Sequence, residues 1–342
     1  MENTALMTKR IRRILLVCNN FDSFSLEEDG RLDMRIAREY SDLNLSNPPV
    51  FERVSSTSEA LERVRTGEPW DVVIAMYNAG GADVFSFAHD VKESAPGTPM
   101  VLLTSFSKEV SRQLRDKDRS CIDYVFNWNG STDLIIAIIK LLEDSLNAPE
   151  DILHAGVQCI LLVEDSVRYY STYLPLLYKL VLQQNFDAIR DALNEEQQIL
   201  RKRARPKILL ATNYDDAVDL YNTYKENLLG VISDIGFVLH KNDDPSQEKL
   251  DAGVTLCTYI RSDEPRMPIL MQSSQESMRS VAESLGAGFV MKRSKTLTHE
   301  VAEYIGREFG FGDFVAANER GKVIARASDL QGVDHSNMSA SQ

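Results

Sequence analysis

Cysteine, histidine, positive charge and long apolar runs are all in short supply in this chain. Its four cysteines (Cys18, Cys121, Cys159, Cys257) are widely spaced with no Cys-x-x-Cys pair, and its five histidines do not cluster. This argues against a structural zinc site or a disulfide frame and predicts a protein of the reducing cytoplasm. No stretch approaches the ~18 apolar residues that would cross a bilayer. Basic residues near the N-terminus precede an apolar run of only Ile14 to Cys18, short of the roughly 7–15 residues of a secretory core, with no small-residue cleavage site after it. No membrane partner is expected. Lysine and arginine number 38 against 51 acids, a net charge of −13, so a nucleic-acid surface would have to be local. The one dense basic run, "RKRARPK" at 201–207, has no basic face with interleaved aromatics and reads as a solvated helix end. No nucleic-acid partner is expected.

What is present is a repeated rhythm. At 342 residues, 43% of them hydrophobic and 26% charged, the chain has material for two domains of about 150 residues. Short Val/Ile/Leu-rich runs alternate with helical patterns, as in parallel sheets with crossover helices. In the first half the predicted strands are 13–19, a weak one at 50–55, 71–77, 99–105 and 123–128; helical segments fall between them, including "KEVSRQLRDK", and 131–147 closes the unit with Ser131 as N-cap. The second half repeats the order at 158–166, 207–213, 229–238, 267–274 and 287–294, then a helix at 297–310. The fold class is therefore α/β: two tandem doubly wound, five-stranded parallel-sheet domains of flavodoxin-like type. The expected boundaries are 1–148 and 157–310 around the linker "NAPEDILHAG", with a hairpin and polar tail over 311–342.

Ligands of open parallel sheets sit at the carboxyl ends of the strands. Glu164 and Asp165 follow the first strand of the second half, Asp234 ends its third, Ser273 its fourth and Lys292 its fifth. With neighbouring strands ~4.8 Å apart, the carboxylates converge, and convergent acids call for a cation; hard oxygens and few ligands suit hydrated Mg²⁺. Acids, metal, lysine and hydroxyl together make a phosphoryl site with Asp234 as candidate nucleophile.

In "VEDS", "VISDIGF", "LMQSS" and "FVMKR" the second half resembles the receiver domain of bacterial response regulators. The resemblance covers about 157–310. It implies that Asp234 takes a phosphoryl group from a histidine kinase or a small phosphodonor. Asp165 binds Mg²⁺ directly, Glu164 acts through water, and the Gly236 carbonyl and Asp234 complete the protein ligands. Ser273 closes on the phosphate and Phe289 stands at the aromatic switch position. Two features depart from the family: Arg293 rather than proline follows Lys292, and the interval from Asp165 to Asp234 is long. The surplus reads as an extended first helix; helical from Tyr169 to Arg203 it would run roughly 50 Å, bent at Pro175. It is either a hairpin folded on its own domain or an arm for homodimerisation or docking.

On the same pattern the first half places Asn19 and Asn20 at the acid pair, Met76 at the phosphoacceptor, Thr104 at the hydroxyl and Asn127 at the lysine. None can do phosphoaspartate chemistry, so this half resembles a pseudo-receiver; Asp22 is either a displaced acid or, as is commoner at a strand end, part of an Asx-turn. "ILLVCNNFDSFS" also resembles the start of glutamine amidotransferase domains, but no Gly-x-Cys-x-Gly elbow or later His-x-Glu follows, and that reading fails. The tail at 312–333 reads as two short strands around Glu-Arg-Gly-Lys, then a helix start at Ser328. The stretches "RILLVCNNFDSFSLEEDGRLD", "ILLVEDSVRYYSTYLPLLY", "LLGVISDIGFV" and "FVAANERGKVIARASDL" resemble the N-terminal region of phosphoenolpyruvate synthase-like proteins.

The expectation is a regulatory module, not itself an enzyme. Mg²⁺-dependent phosphorylation of Asp234 modulates a protein partner or downstream domain, and the first domain is a docking or dimerisation scaffold. The alternatives are a phosphorylation-independent structural adaptor, or the regulatory N-terminal part of a phosphoenolpyruvate synthase-like enzyme.

Overall fold

The structure, a computed structural model, describes residues 6–20, 32–42, 45, 47–105, 117–128, 130–190, 205–241, 243–244, 247–309, 314–317 and 323–327. The predicted helix at "KEVSRQLRDK", the helix start at Ser328, Asp22 and the stretch 191–203 lie in whole or in large part outside the described residues.

The first sheet is built from β1 (Arg13–Val17), β2 (Val50–Val54), β3 (Val72–Met76), β4 (Met100–Thr104) and β5 (Tyr124–Asn127), with α1 (Leu32–Asp42), α2 (Thr57–Thr66), α3 (Val84–Ser94) and α4 (Thr132–Ala148). A π-helical turn, Pro149–His154, leads into the second set. Its strands are β6 (Cys159–Val163), β7 (Lys207–Ala211), β8 (Leu228–Asp234), β9 (Ile269–Ser273) and β10 (Gly288–Met291). Its helices are α5 (Val167–Arg190), α6 (Tyr214–Tyr224), α7 (Ala252–Asp263), α8 (Arg279–Ser284) and α9 (Leu297–Glu308). A short antiparallel pair follows, β11 (Phe314–Ala317) and β12 (Val323–Ala327).

All pairings inside the two five-stranded sheets are parallel, in the orders β2-β1-β3-β4-β5 and β7-β6-β8-β9-β10. This is one topology twice, the α/β flavodoxin-like arrangement, in which the chain reverses its direction of winding beside the first strand. That reversal opens a crevice at the carboxyl ends of the first and third strands. The local sequence explains the elements. Every residue of β3, β4, β6 and β8 is buried, as strands covered by helices on both faces require. Helix starts are fixed by side-chain caps: Ser56 accepts from the Glu59 amide at 3.2 Å, and Asn213 from the Asp216 amide at 2.8 Å.

The chain divides into two compact units. One holds the first sheet, Met7–Leu146, together with Ser166–Tyr178; the other holds Asn147–Asp165 and Lys179–Gln342, with the residues before Met7. A single cut at the linker does not reproduce this division, because the first half of α5 belongs with the first sheet. There the Tyr170 hydroxyl donates to the Val125 carbonyl, and Tyr170 packs edge-on against Phe126. The Ser171 hydroxyl accepts from the Asn127 amide at 2.9 Å, so part of the open edge of β5 is satisfied by a helix. Tyr178 donates to buried Asp144 of α4 at 2.8 Å. Tyr173, Leu174 and Leu177 are also buried, so this part of α5 is a packed helix and not a projecting arm. It is continuous through Pro175. Helix α4 is buried at every position from Leu134 to Asp144; its charges are matched internally, Lys140 meeting Glu143 at 2.7 Å, and Glu143 taking the Ile11 amide at 3.2 Å.

In the second unit, buried Lys207 of β7 pairs with buried Asp151 of the π turn at 2.7 Å. No helix among the described residues is long and apolar enough to cross a membrane.

Candidate functional site

The crevice of the second sheet carries the charged residues. Register fixes their places: Val163 pairs with Ser233, Asp234 with Gln272 and Met291 with Ser273. Glu164 and Asp165 therefore leave β6 beside the end of β8, and Lys292 leaves β10 beside the end of β9, where its amide bonds to the Ser273 carbonyl at 2.9 Å. Glu164, Asp165 and Asp234 each offer an oxygen within 4.8 Å of the others. Lys292 Nζ sits 2.7 Å from Glu164 Oε2 and also donates to Asp234 Oδ2. The other oxygen of Asp234 accepts from the Ile235 amide at 2.7 Å, and Asp165 accepts from the Val238 amide at 3.1 Å.

Glu164 is fully buried, and Asp234 and Lys292 nearly so. Burial, reinforced by the charge of Asp234, pushes the Glu164 carboxyl well above its ordinary range, against the pull of Lys292. Asp165 is pushed up to about 6, chiefly by burial; the Val238 amide opposes this, while Asp234 and Glu248 add to it. Asp234 is raised by burial despite the Lys292 ammonium and the Ile235 and Gly236 amides. For Lys292 burial works downward, and the charges of Glu164 and Asp234 outweigh it, so its pKa rises. Three acids facing one ammonium leave an excess of negative charge in a dry site. That is the environment a divalent cation relieves, and an all-oxygen donor set fits a hard ion such as Mg²⁺.

Ser273 ends β9, mostly buried, its hydroxyl accepting from the Gln275 amide at 3.1 Å. Phe289 is half-buried with the Arg279 guanidinium 4.8 Å from its ring centre. Arg293 is exposed. Two residues at this site carried no role in the sequence. Gln272 donates to Glu164 Oε2 at 3.0 Å; a glutamine in the otherwise apolar run "ILMQS" is the signal that points to it. Glu248 reaches back from the loop after β8, its Oε1 lying 2.3 Å from where a Cβ on Gly236 would stand. It has no local signature.

Gly253 has a stricter requirement. A Cβ there would lie 2.1 Å from the Asp234 carbonyl oxygen and 2.8 Å from Ile235 Cα. Both are backbone atoms, so α7 would have to move off the strand end that presents Asp234. Gly253→Ala is expected to cost ~1–3 kcal/mol of stability, read by urea unfolding; a change below ~0.5 kcal/mol would show that the helix can shift freely.

Register also aligns the two units. Val17 pairs with Val54 and Ala75, as Val163 pairs with Ala211 and Ser233. The counterparts of Glu164 and Asp165 are therefore Cys18 and Asn19, and Asn20 falls at Ser166, one residue away from the sequence expectation. Met76 does stand at Asp234: the amide after each bonds across to the equivalent carbonyl, of Leu103 and of Gln272. Thr104 stands at Ser273. Asn127 aligns with Met291, and the lysine position is Trp128, whose amide bonds to the Thr104 carbonyl at 2.9 Å. Asn19 donates to the Asn78 carbonyl at 2.8 Å, and Cys18 and Met76 are buried. The acid pair, the Asp234 carboxylate and the ammonium are all replaced by uncharged side chains.

No family model matches the chain, and no curated protein does. Among solved structures it is similar to a chain described as a two-component system response regulator/GGDEF domain protein (14% identity, 86% of this chain and 98% of that one, TM-score 0.34). It is also similar to the Escherichia coli RcsC C-terminus containing a linker region and a phosphoreceiver domain (15%, 90% and 97%, 0.29). A third is a Burkholderia pseudomallei response regulator with a phosphorylated aspartic acid, calcium ion and citrate (13%, 56% and 95%, 0.28). The flavodoxin-like fold of this chain follows from its own strand order and register.

Proposed function

We propose that the second unit is a receiver that accepts a phosphoryl group on Asp234 and is read by a protein partner or a further domain. The observation that carries this is the cluster of buried Glu164 and Asp234 with half-buried Asp165 at the carboxyl ends of β6 and β8, faced by Lys292. Glu164, Asp165 and Asp234 would hold Mg²⁺, with the Gly236 carbonyl beside them; the ion supplies positive charge against the phosphoryl oxygens. An Asp234 carboxylate oxygen attacks phosphorus. The P–N bond of a phosphohistidine, or the P–O bond of a small acyl phosphate, breaks, and the donor leaves with the bonding pair. Lys292 stays bound to Asp234 and adds charge on the same side. Ser273 gives a hydroxyl at the neighbouring strand end, and inward movement of Ser273 and Phe289 would carry the change to β9 and β10.

The first unit, with Cys18, Asn19, Met76 and Trp128 at the corresponding places, serves as a non-phosphorylatable scaffold. The chain in this reading is a regulatory module supplied by a histidine kinase or small phosphodonor.

Incubation with acetyl phosphate and Mg²⁺ is expected to add one phosphoryl group by intact mass, lost on hydroxylamine treatment. Asp234→Asn abolishes it, and Met76→Ala leaves it unchanged. A chain that remains unlabelled with acetyl phosphate and with a phosphorylated histidine kinase would overturn the reading and favour a phosphorylation-independent adaptor.

A further inference from the structure

Among the described residues of the second unit, one buried side-chain polar atom has no hydrogen-bond partner. Gln272 is wholly buried on β9, paired with Asp234. Its Nε2 donates to Glu164 Oε2, the same oxygen that receives Lys292. An oxygen held by an ammonium in this way takes the amide nitrogen and not its oxygen, so the orientation is set by chemistry. Gln272 Oε1 is then buried with no hydrogen-bond partner among the described residues.

An orphaned buried amide oxygen destabilises the fold, because it has given up water without gaining a partner. The rest of β9 up to Ser273 is Ile269, Leu270 and Met271, and a methionine at 272 would carry no such cost. The amide already touches the acid cluster at its nitrogen end, so a donor that arrives with the occupant of that cluster can reach the oxygen end. Water bound to a divalent cation is a strong donor, and losing a group that orients metal ligands through such hydrogen bonds typically costs ~10–100-fold in metal affinity.

We propose that Gln272 is a positioning residue for the cation: Nε2 fixes Glu164, and Oε1 accepts a hydrogen bond from cation-bound water. The inference rests on the acceptor reading for the cation's presence. It extends that reading to a residue that neither binds the ion directly nor takes the phosphoryl group.

The test is calorimetric titration of the full chain with MgCl₂, paired with thermal unfolding in EDTA. Gln272→Met is expected to weaken Mg²⁺ binding ~10–100-fold while changing the EDTA unfolding temperature little, since the hydrogen bond lost to Glu164 and the unsatisfied oxygen removed act in opposite directions. Equal Mg²⁺ affinity in wild type and Gln272→Met would overturn the inference and leave the acceptor reading standing. A fall in EDTA stability that accounts for the affinity loss would also overturn it, as a plain packing role. Absence of Mg²⁺ binding by the wild type would overturn both.

Discussion

Replacing Lys292 with methionine is expected to lower the stability of the second unit by ~3–5 kcal/mol at pH 7, the usual cost of removing one partner from a buried ion pair. Methionine keeps most of the volume, so the loss is electrostatic. Glu164 and Asp234 lose the ammonium that both contact and face one another in a site that excludes water. The pH dependence supplies the sign. Without the ammonium the folded-state pKa values of both acids rise further above their unfolded values. The stability they contribute is full below the unfolded values and lost as pH climbs through the raised folded ones. The deficit relative to wild type should therefore shrink as pH falls from 7 to 5, and adding Glu164→Gln should recover much of it. Urea unfolding followed by circular dichroism at both pH values checks this. A loss below ~1 kcal/mol at pH 7, the scale of an exposed pair, would mean that water reaches the site.

That cost bears on function. The first sheet has the same strand order as the second and reaches it with buried Met76 and Cys18 where the second has Asp234 and Glu164. The fold does not need the acids; its cohesion comes from buried apolar strands. A set of carboxylates buried at one crevice and absent from its twin is a cost the fold does not require, which is the observation behind the proposed phosphoryl chemistry. The first unit shows that the scaffold forms without those charges.

The sheets were legible because buried strands are nearly continuous in Val, Ile and Leu, a signal that does not depend on partners. The acids were legible by their order, since a strand-end aspartate alone is commonly a turn or cap, whereas polar residues in order at the ends of four strands are not. Apolar character marks burial, however, and not register. Cys18 is small, apolar and buried, so it reads as one more strand residue and moves the apparent strand end past its true place. The predicted strand 123–128 runs on to Trp128, whereas the structure ends it at Asn127, which pairs with Thr104 and leaves Trp128 at the place that corresponds to Lys292. Only the ladder hydrogen bonds resolve such one-residue offsets. The apolar stripe of α5 shows that one face is buried but not against what, so the bonds of Tyr170 and Ser171 to Val125 and Asn127 were invisible. Glu248 is of the same kind: a loop folds it back over Gly236, and no spacing announces it.

Magnesium is expected to stabilise the chain more at pH 7.5 than at pH 5. Asp165 carries the argument because burial lifts it from 3.8 to about 6. With a folded pKa above the unfolded one, its contribution is fully present below about pH 4 and is lost as pH rises through 6. At ~1.4 kcal/mol per unit the cost at pH 7.5 without the cation is about 3 kcal/mol. Glu164 and Asp234, raised by the same burial, act in the same direction. A divalent cation binds the ionised carboxylates and competes with protons for them. At a hundredfold excess over its Kd it adds about 2.7 kcal/mol to the folded state, and at pH 5 protons already occupy part of the site and that gain contracts. Thermal unfolding in MgCl₂ and in EDTA, at both pH values, gives four midpoints. The increment due to magnesium should be larger at pH 7.5 and should largely disappear at both pH values in Asp165→Asn. Equal increments at the two pH values in the wild type would mean that the ion binds somewhere other than this cluster.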